Sequence, residues 1–225
     1  MAPSHYVWHF GVFFRYLPFL LSGLRVTVAV SLAAILVGSV VGLAVALARL
    51  SRLWPLRWAA AFYGDFLRST PLLIQLVWVF FALPILIGHP LPPVTAGIAT
   101  LGAYSGAYLA EIFRAGILSI APGQRHAALA LGMTGAQVMR RILLPQALAR
   151  MAPAIASTFI TLVKDSSLIS IISVAELMWA AQSLAAISLR PVEVLTGTGL
   201  LYVAITYPLS IVSELLRRKS LAVSE

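Results

Sequence analysis

Residues 125–147 read RHAALALGMTGAQVMRRILLPQA. Gln124 to Leu131 carries about two turns of helix, and Gly132 then suits the left-handed residue that closes a helix. Thr134 and Gln137 have the S/T-x-x-E/Q spacing of a capping box, so a second helix starts there and continues through VMRRILL. Pro145 has no N–H to donate and crowds the preceding turn, which predicts a stop. The expected order is helix, glycine turn, helix, proline stop, in a loop of about residues 120–146. Ala127, Ala128 and Leu131 form a small apolar face beside Arg125 and His126, and a helix so short does not bury itself alone. It lies on lipid or fills a groove of another protein, and the residues leave both open.

The surrounding chain sets the medium. Of its 225 residues 60% are hydrophobic and 10% charged, with a mean hydropathy of +0.96. That leaves too little polar surface to coat a soluble globule, so the chain belongs in lipid. Five runs are of spanning length or close to it, at about 26–48, 71–88, 94–113, 152–172 and 194–212. The first, VTVAVSLAAILVGSVVGLAVALA, is free of charge, the second starts at Pro71, and the third holds Gly97, Gly102 and Gly106, which allow close helix contact. The segment SVAELMWAAQSLAAI, 173–187, is too short and too polar to span and suits an amphipathic helix at the outer interface. The opening stretch MAPSHYVWHFGVFFRYLPF lacks the basic start and cleavage site of a signal peptide, so it is expected to be retained along one membrane face.

The formal charge of +9 is spread between apolar runs rather than massed on one solvated surface, which argues against nucleic acid. It orients the chain instead. Arg49, Arg52, Arg57, Arg114, Arg125, Arg140, Arg141, Arg150, Arg217, Arg218 and Lys219 fall on one side if the spans alternate; Arg15, Arg25 and Arg190 fall on the other. The first group is expected in the cytoplasm, with the N-terminus outside and the C-terminus inside. The expected fold is all-α: one polytopic domain over residues 1–225 with five transmembrane helices and a cytoplasmic helix-glycine-helix loop. The absence of cysteine removes a disulfide framework, a thiol nucleophile and cysteine-bound metal, and no metal site is expected.

The loop resembles the EAA loop of ATP-binding-cassette importer permeases, E-A-A-x3-G-x9-I-x-L-P. Ala127, Ala128, Gly132, Ile142, Leu144 and Pro145 fall in register, and His126 occupies the glutamate position. FLRSTPLLIQLVWVFFALP (66–84), AEIFRAGILSIAPGQ (110–124) and LVKDSSLISIISVAEL (162–177) are similar to the polar amino-acid branch of that family, with its RGTPLLVQ and KDTSL segments. Ser69 stands where that branch has glycine. The resemblance covers roughly residues 20–215 and implies a MetI-like permease fold in a bacterial inner membrane. It also implies pairing with a second copy or a related permease, separate ATPase subunits that hold ATP and magnesium, and an extracytoplasmic solute-binding protein. This chain itself is then no enzyme and carries no cofactor. His126, Ala127, Ala128, Gly132, Ile142, Leu144 and Pro145 would grip the ATPase, in a groove altered to accept histidine.

Ionisable residues inside apolar runs are costly and default to functional candidates. Glu111 and Arg114 have helical-pair spacing, read as a structural ion pair rather than a substrate contact; Asp65 and Arg68 would brace the start of the second span. Lys164 and Asp165 diverge by about 100° on a helix and do not simply neutralise each other, so a pathway and a structural role both stand. An amino acid needs donors for its carboxylate and acceptors for its ammonium, which Thr70, Gln75, Lys164, Asp165, Ser166 and Ser167 offer. Glu176 would meet the receptor or a neighbouring subunit.

Two rivals remain. A Ser105–Lys164 intramembrane protease needs a proximity the sequence does not give, and all four histidines, His5, His9, His89 and His126, lie outside the spans. A secondary carrier usually has more spans or inverted repeats. A phosphate-binding loop needs Gly-Lys-Ser/Thr, whereas the only lysines are Lys164 and Lys219, so ATP would be used by a partner.

Overall fold

The computed structural model describes residues 7–222, with side chains through Arg218. His5 and the other opening residues, and the side chain of Lys219, lie outside that range. The described chain is all helix and connection: α1 (Gly11–Arg15), α2 (Leu17–Arg49), α3 (Trp54–Ser69), α4 (Leu72–Ile87), α5 (Pro93–Leu118), α6 (Pro122–Ala130), α7 (Gly135–Ile172), α8 (Leu177–Ser188) and α9 (Pro191–Ala222).

Among the described residues α2, α7 and α9 are long and apolar enough to cross a membrane, and α3 with α4 makes a fourth candidate bent by 106°. The bend sits where the residue before Pro71 is pushed out of helical geometry: Thr70 is extended, with φ −109° and ψ 141°. The run read as 71–88 is thus the second arm of the bend, ended by Gly88 at φ +73°. Its first arm, α3, was not read from the sequence, although Trp54, Trp58, Phe62 and Phe66 recur every four residues along it. All four are exposed, and Trp58, Phe62 and Phe66 stack at 5.8 Å between successive ring centres.

Helix α5 is long enough at 26 residues, yet its most apolar stretch falls short of those of the three candidates. The reason lies in its neighbours. Gly38 and Gly42 of α2 face Gly102 and Gly106 of α5, and a Cβ on Gly42 would come within 2.9 Å of the Gly106 carbonyl oxygen. Small residues let the two backbones touch, so α5 is wrapped in protein and needs less apolar surface than a lipid-facing helix.

Two cores result. Val30, Ala34, Leu72, Leu76, Leu101, Leu162 and Ile169 join α2, α4, α5 and α7. Phe13, Leu20, Leu177, Ala181 and Val194 join α1, α2, α8 and the start of α9. Gly197 leaves the notch that the Phe13 ring fills. The segment read as an interfacial amphipathic helix is therefore α8, packed against its neighbours through Leu177, Ala180, Ala181 and Leu184.

Candidate functional site

The 120–146 loop forms as its sequence dictates at its turn. Helix α6 starts with Pro122 in its first turn. Gly132 takes φ +78°, the Met133 N–H donates to the Ala128 carbonyl and the Gly132 N–H to that of Leu129. That pair of bonds is a Schellman turn. Thr134 and Gln137 then bond reciprocally, with the Thr134 N–H donating to Gln137 Oε1 at 2.8 Å and the Gln137 N–H to Thr134 Oγ1 at 3.3 Å.

The proline stop is overturned. Helix α7 runs through Pro145 for 38 residues, from the loop to Ile172. A π turn at Met139–Leu143 immediately precedes the α segment that opens with Leu144 and Pro145. The wider turn accommodates the missing N–H and the ring, which would otherwise break the helix. The second loop helix and the run at 152–172 are consequently one element, about 57 Å long.

Ala128 is buried, as is Val138 on the facing segment, so the second alanine of the motif holds the loop together. His126 and Ala127 are exposed, Ile142 is half-buried, and Leu144 and Pro145 are exposed. Leu131 is 84% exposed, a knob beside the glycine turn. The loop's base is clamped: Arg150 Nη1 donates to the carbonyl of Ser119 at 2.5 Å, just past the end of α5, and to its hydroxyl at 3.2 Å.

Toward the other end, α7 borders an open cleft of about 260 Å³. Tyr104 and Tyr108 of α5 face Ser157, Thr158, Thr161 and Asp165 of α7 across it. The tyrosine hydroxyls lie 3.2 Å apart. Hydroxyls that donate and accept, with one carboxylate, suit a solute bearing both an acceptor and an ammonium. Directly after Asp165 the helix tightens to 3-10 geometry over Ser166–Ile172.

The six pathway candidates do not form one cluster. Asp165 lines the cleft; Lys164 is exposed, and Ser166 is buried with its hydroxyl on the Val163 carbonyl. Ser167 gives its carbonyl to the Ser170 hydroxyl. Thr70 and Gln75 border a separate apolar pocket between α4 and α5. There Gln75 Nε2 donates to the Leu67 carbonyl at 2.8 Å and to Thr70 Oγ1 at 2.7 Å, tying the bend at Pro71 rather than facing the cleft. Ser105 is buried, its hydroxyl on the Gly102 carbonyl, with no hydrogen bond to Lys164 among the described residues.

Glu111 does pair with Arg114, and more besides. Arg49 Nη1 of α2 lies 2.5 Å from Glu111 Oε2 and Arg68 Nη1 of α3 lies 3.9 Å from it, while Arg114 holds Oε1. Arg68 also pairs with Asp65 at 2.8 Å. One carboxylate thus ties the C-terminal ends of α2 and α3 to α5, a role no local spacing of Arg49 announced. Glu176 is corrected: it is wholly buried and meets no outside partner. Its carboxylate accepts from the Trp179 N–H at 2.7 Å, from Thr27 at 3.2 Å and from Tyr202 at 3.1 Å, capping α8 and joining it to α2 and α9.

Comparison with known proteins fits this arrangement. The profile of the family "binding-protein-dependent transport system inner membrane component" matches residues 34–220. The arginine transport system permease protein ArtQ of Bacillus subtilis is 36% identical over 203 residues, covering 90% of this chain and 93% of its own length. The glutamine transport system permease protein GlnP of Escherichia coli K12 is 35% identical over 204 residues, with the same coverage of 90% and 93%. Among solved structures, a crystal structure of an amino acid ABC transporter with histidines superposes with a TM-score of 0.87 at 34% identity, over 95% of this chain and 100% of that one. The inward-facing MetNI methionine transporter, at 24% identity and TM-score 0.75 over 92% and 98%, shares the fold. The chain belongs to this family of inner-membrane transport components, and neither the protease nor the secondary carrier finds support.

Proposed function

We propose that this chain, as a member of that family, is the permease subunit of an ATP-driven importer for a polar amino acid. An extracytoplasmic solute-binding protein delivers the solute. Separate ATPase subunits hold ATP and magnesium, and a second copy or a related permease completes the pathway. The relatives' names, which include arginine, glutamine and glutamate/aspartate transport, support the substrate class.

One observation carries the mechanism: a single helix, α7, runs from the loop to the cleft that holds Asp165. We read the arginine-rich end as cytoplasmic, the N-terminus as outside, the C-terminus as inside, and the bundle as crossing five times. His126, Ala127, Gly132, Ile142, Leu144 and Pro145 shape the gripped surface, and Ala128 keeps it folded. When ATP draws the ATPases together the loops move with them, and α7 carries that motion to the cleft without an intervening joint at Pro145. Ligands do work here only by binding one state better than the other.

The test is uptake into proteoliposomes containing permease, ATPase and receptor. Arginine, glutamine or glutamate should accumulate only with ATP on the ATPase side and the receptor on the opposite side. Uptake driven by an ion gradient alone would contradict the reading.

A further inference from the structure

The exposed surface of the loop has one sign. Between Ala115 and Lys164 the chain contains no acidic residue. Arg125, Arg140 and Arg141 are exposed, and none has a side-chain partner among the described residues. Ala136, Gln137, Arg140 and Arg141 line an open groove at the start of α7. Arg150, the remaining arginine of the segment, is occupied at Ser119. The nearest acid on the N-terminal side, Glu111, is shared among three arginines. His126 stands where the resembled motif has glutamate. A glutamate offers acceptors alone, whereas an imidazole offers an N–H donor in either protonation state.

We propose that this loop docks in an anionic groove: the ATPase partner presents carboxylates to Arg125, His126, Arg140 and Arg141 around an apolar socket for Leu131. The inference rests on the loop being the ATPase contact, and adds the chemistry of the surface it meets. Charge complementarity identifies the occupant, since three unpaired guanidiniums gain most from opposed carboxylates. A membrane surface fits less well. A helix lying on lipid shows a continuous apolar stripe, but α6 turns Ala128, the middle of its small apolar face, inward and leaves Arg125 and His126 exposed beside the Leu131 knob.

The test uses the tagged permease in neutral detergent together with the ATPase that co-purifies with it at 50 mM NaCl. Raising NaCl to 500 mM should cut ATPase retention by about tenfold, as screening removes the attraction. Arg140→Glu/Arg141→Glu should lose it to a similar extent at low salt, and Arg140→Lys/Arg141→Lys should keep most of it. His126→Glu should weaken retention by about threefold or more, with size-exclusion profiles unchanged. Salt-independent retention, or His126→Glu binding as tightly as the parent chain, would overturn the anionic groove. So would charge-reversal variants that keep the ATPase in detergent and lose activity only in anionic phospholipid vesicles, which would assign the arginines to headgroups. If no ATPase co-purifies at any salt concentration, the permease reading itself fails.

Discussion

Glu176 shows what a single buried carboxylate does in this bundle. It holds two side-chain hydroxyls and one backbone N–H from three helices, so removing it leaves the half-buried Trp179 N–H and Tyr202 hydroxyl without their acceptor. Glu176→Ala should destabilise the protein by about 2–4 kcal/mol, read as a lower thermal midpoint in detergent, with Glu176→Gln losing less. Its burial was hidden in the sequence, since SVAEL looks polar until Thr27 and Tyr202, far along the chain, are brought to it. Gly42 was equally silent, while the glycines of the third span were legible because three recur in one run. Gly42→Leu should push α2 off α5 and cost about 1–3 kcal/mol. Gly199→Ala, inside α9 and with nothing within 4 Å of the added Cβ, should cost nothing in the same assay and gain up to about 1 kcal/mol.

At the scale of elements, local rules succeeded where the contacts are local. The Gly132 turn and the Thr134–Gln137 box each close within a few residues, so their spacing alone specifies them. Pro145 failed as a stop because tertiary context chose a π turn over a break, and a proline rule sees only its own turn. The Pro71 bend was half legible: the proline marks the start of α4, but Arg57, Asp65 and Arg68 interrupt the apolar residues of α3 before it. A rigid turn at residue 132 makes a sharp demand. Proline fixes φ near −65° and does not reach the +78° seen there. Gly132→Pro should therefore reduce receptor-stimulated ATP hydrolysis to background while the protein still inserts and elutes normally. Stimulation equal to that of the parent chain would argue against a rigid arm.

Across the whole molecule, charge separates the two ends. Arg49, Arg68 and Arg114 gather on Glu111 at one, with Arg150 on Ser119 nearby; Glu193, accepting from the His9 N–H at 3.0 Å, and Arg190 sit at the other. Composition made the lipid environment and the all-helical class legible, because the scarcity of charge is a property of the whole chain. The joining of loop and cleft by one helix was not legible, since it depends on how Pro145 is absorbed. On that helix rests the central claim, that a cytoplasmic ATPase grips residues 122–146 and moves the cleft at Asp165. The chain contains no cysteine, so Leu131→Cys gives a single reactive thiol on the exposed knob. In sealed vesicles of known orientation, a membrane-impermeant maleimide should label it only from the cytoplasmic side, and a short bifunctional linker should join it to an ATP-hydrolysing subunit. Labelling from the exterior, or an adduct with no such subunit, would contradict the account.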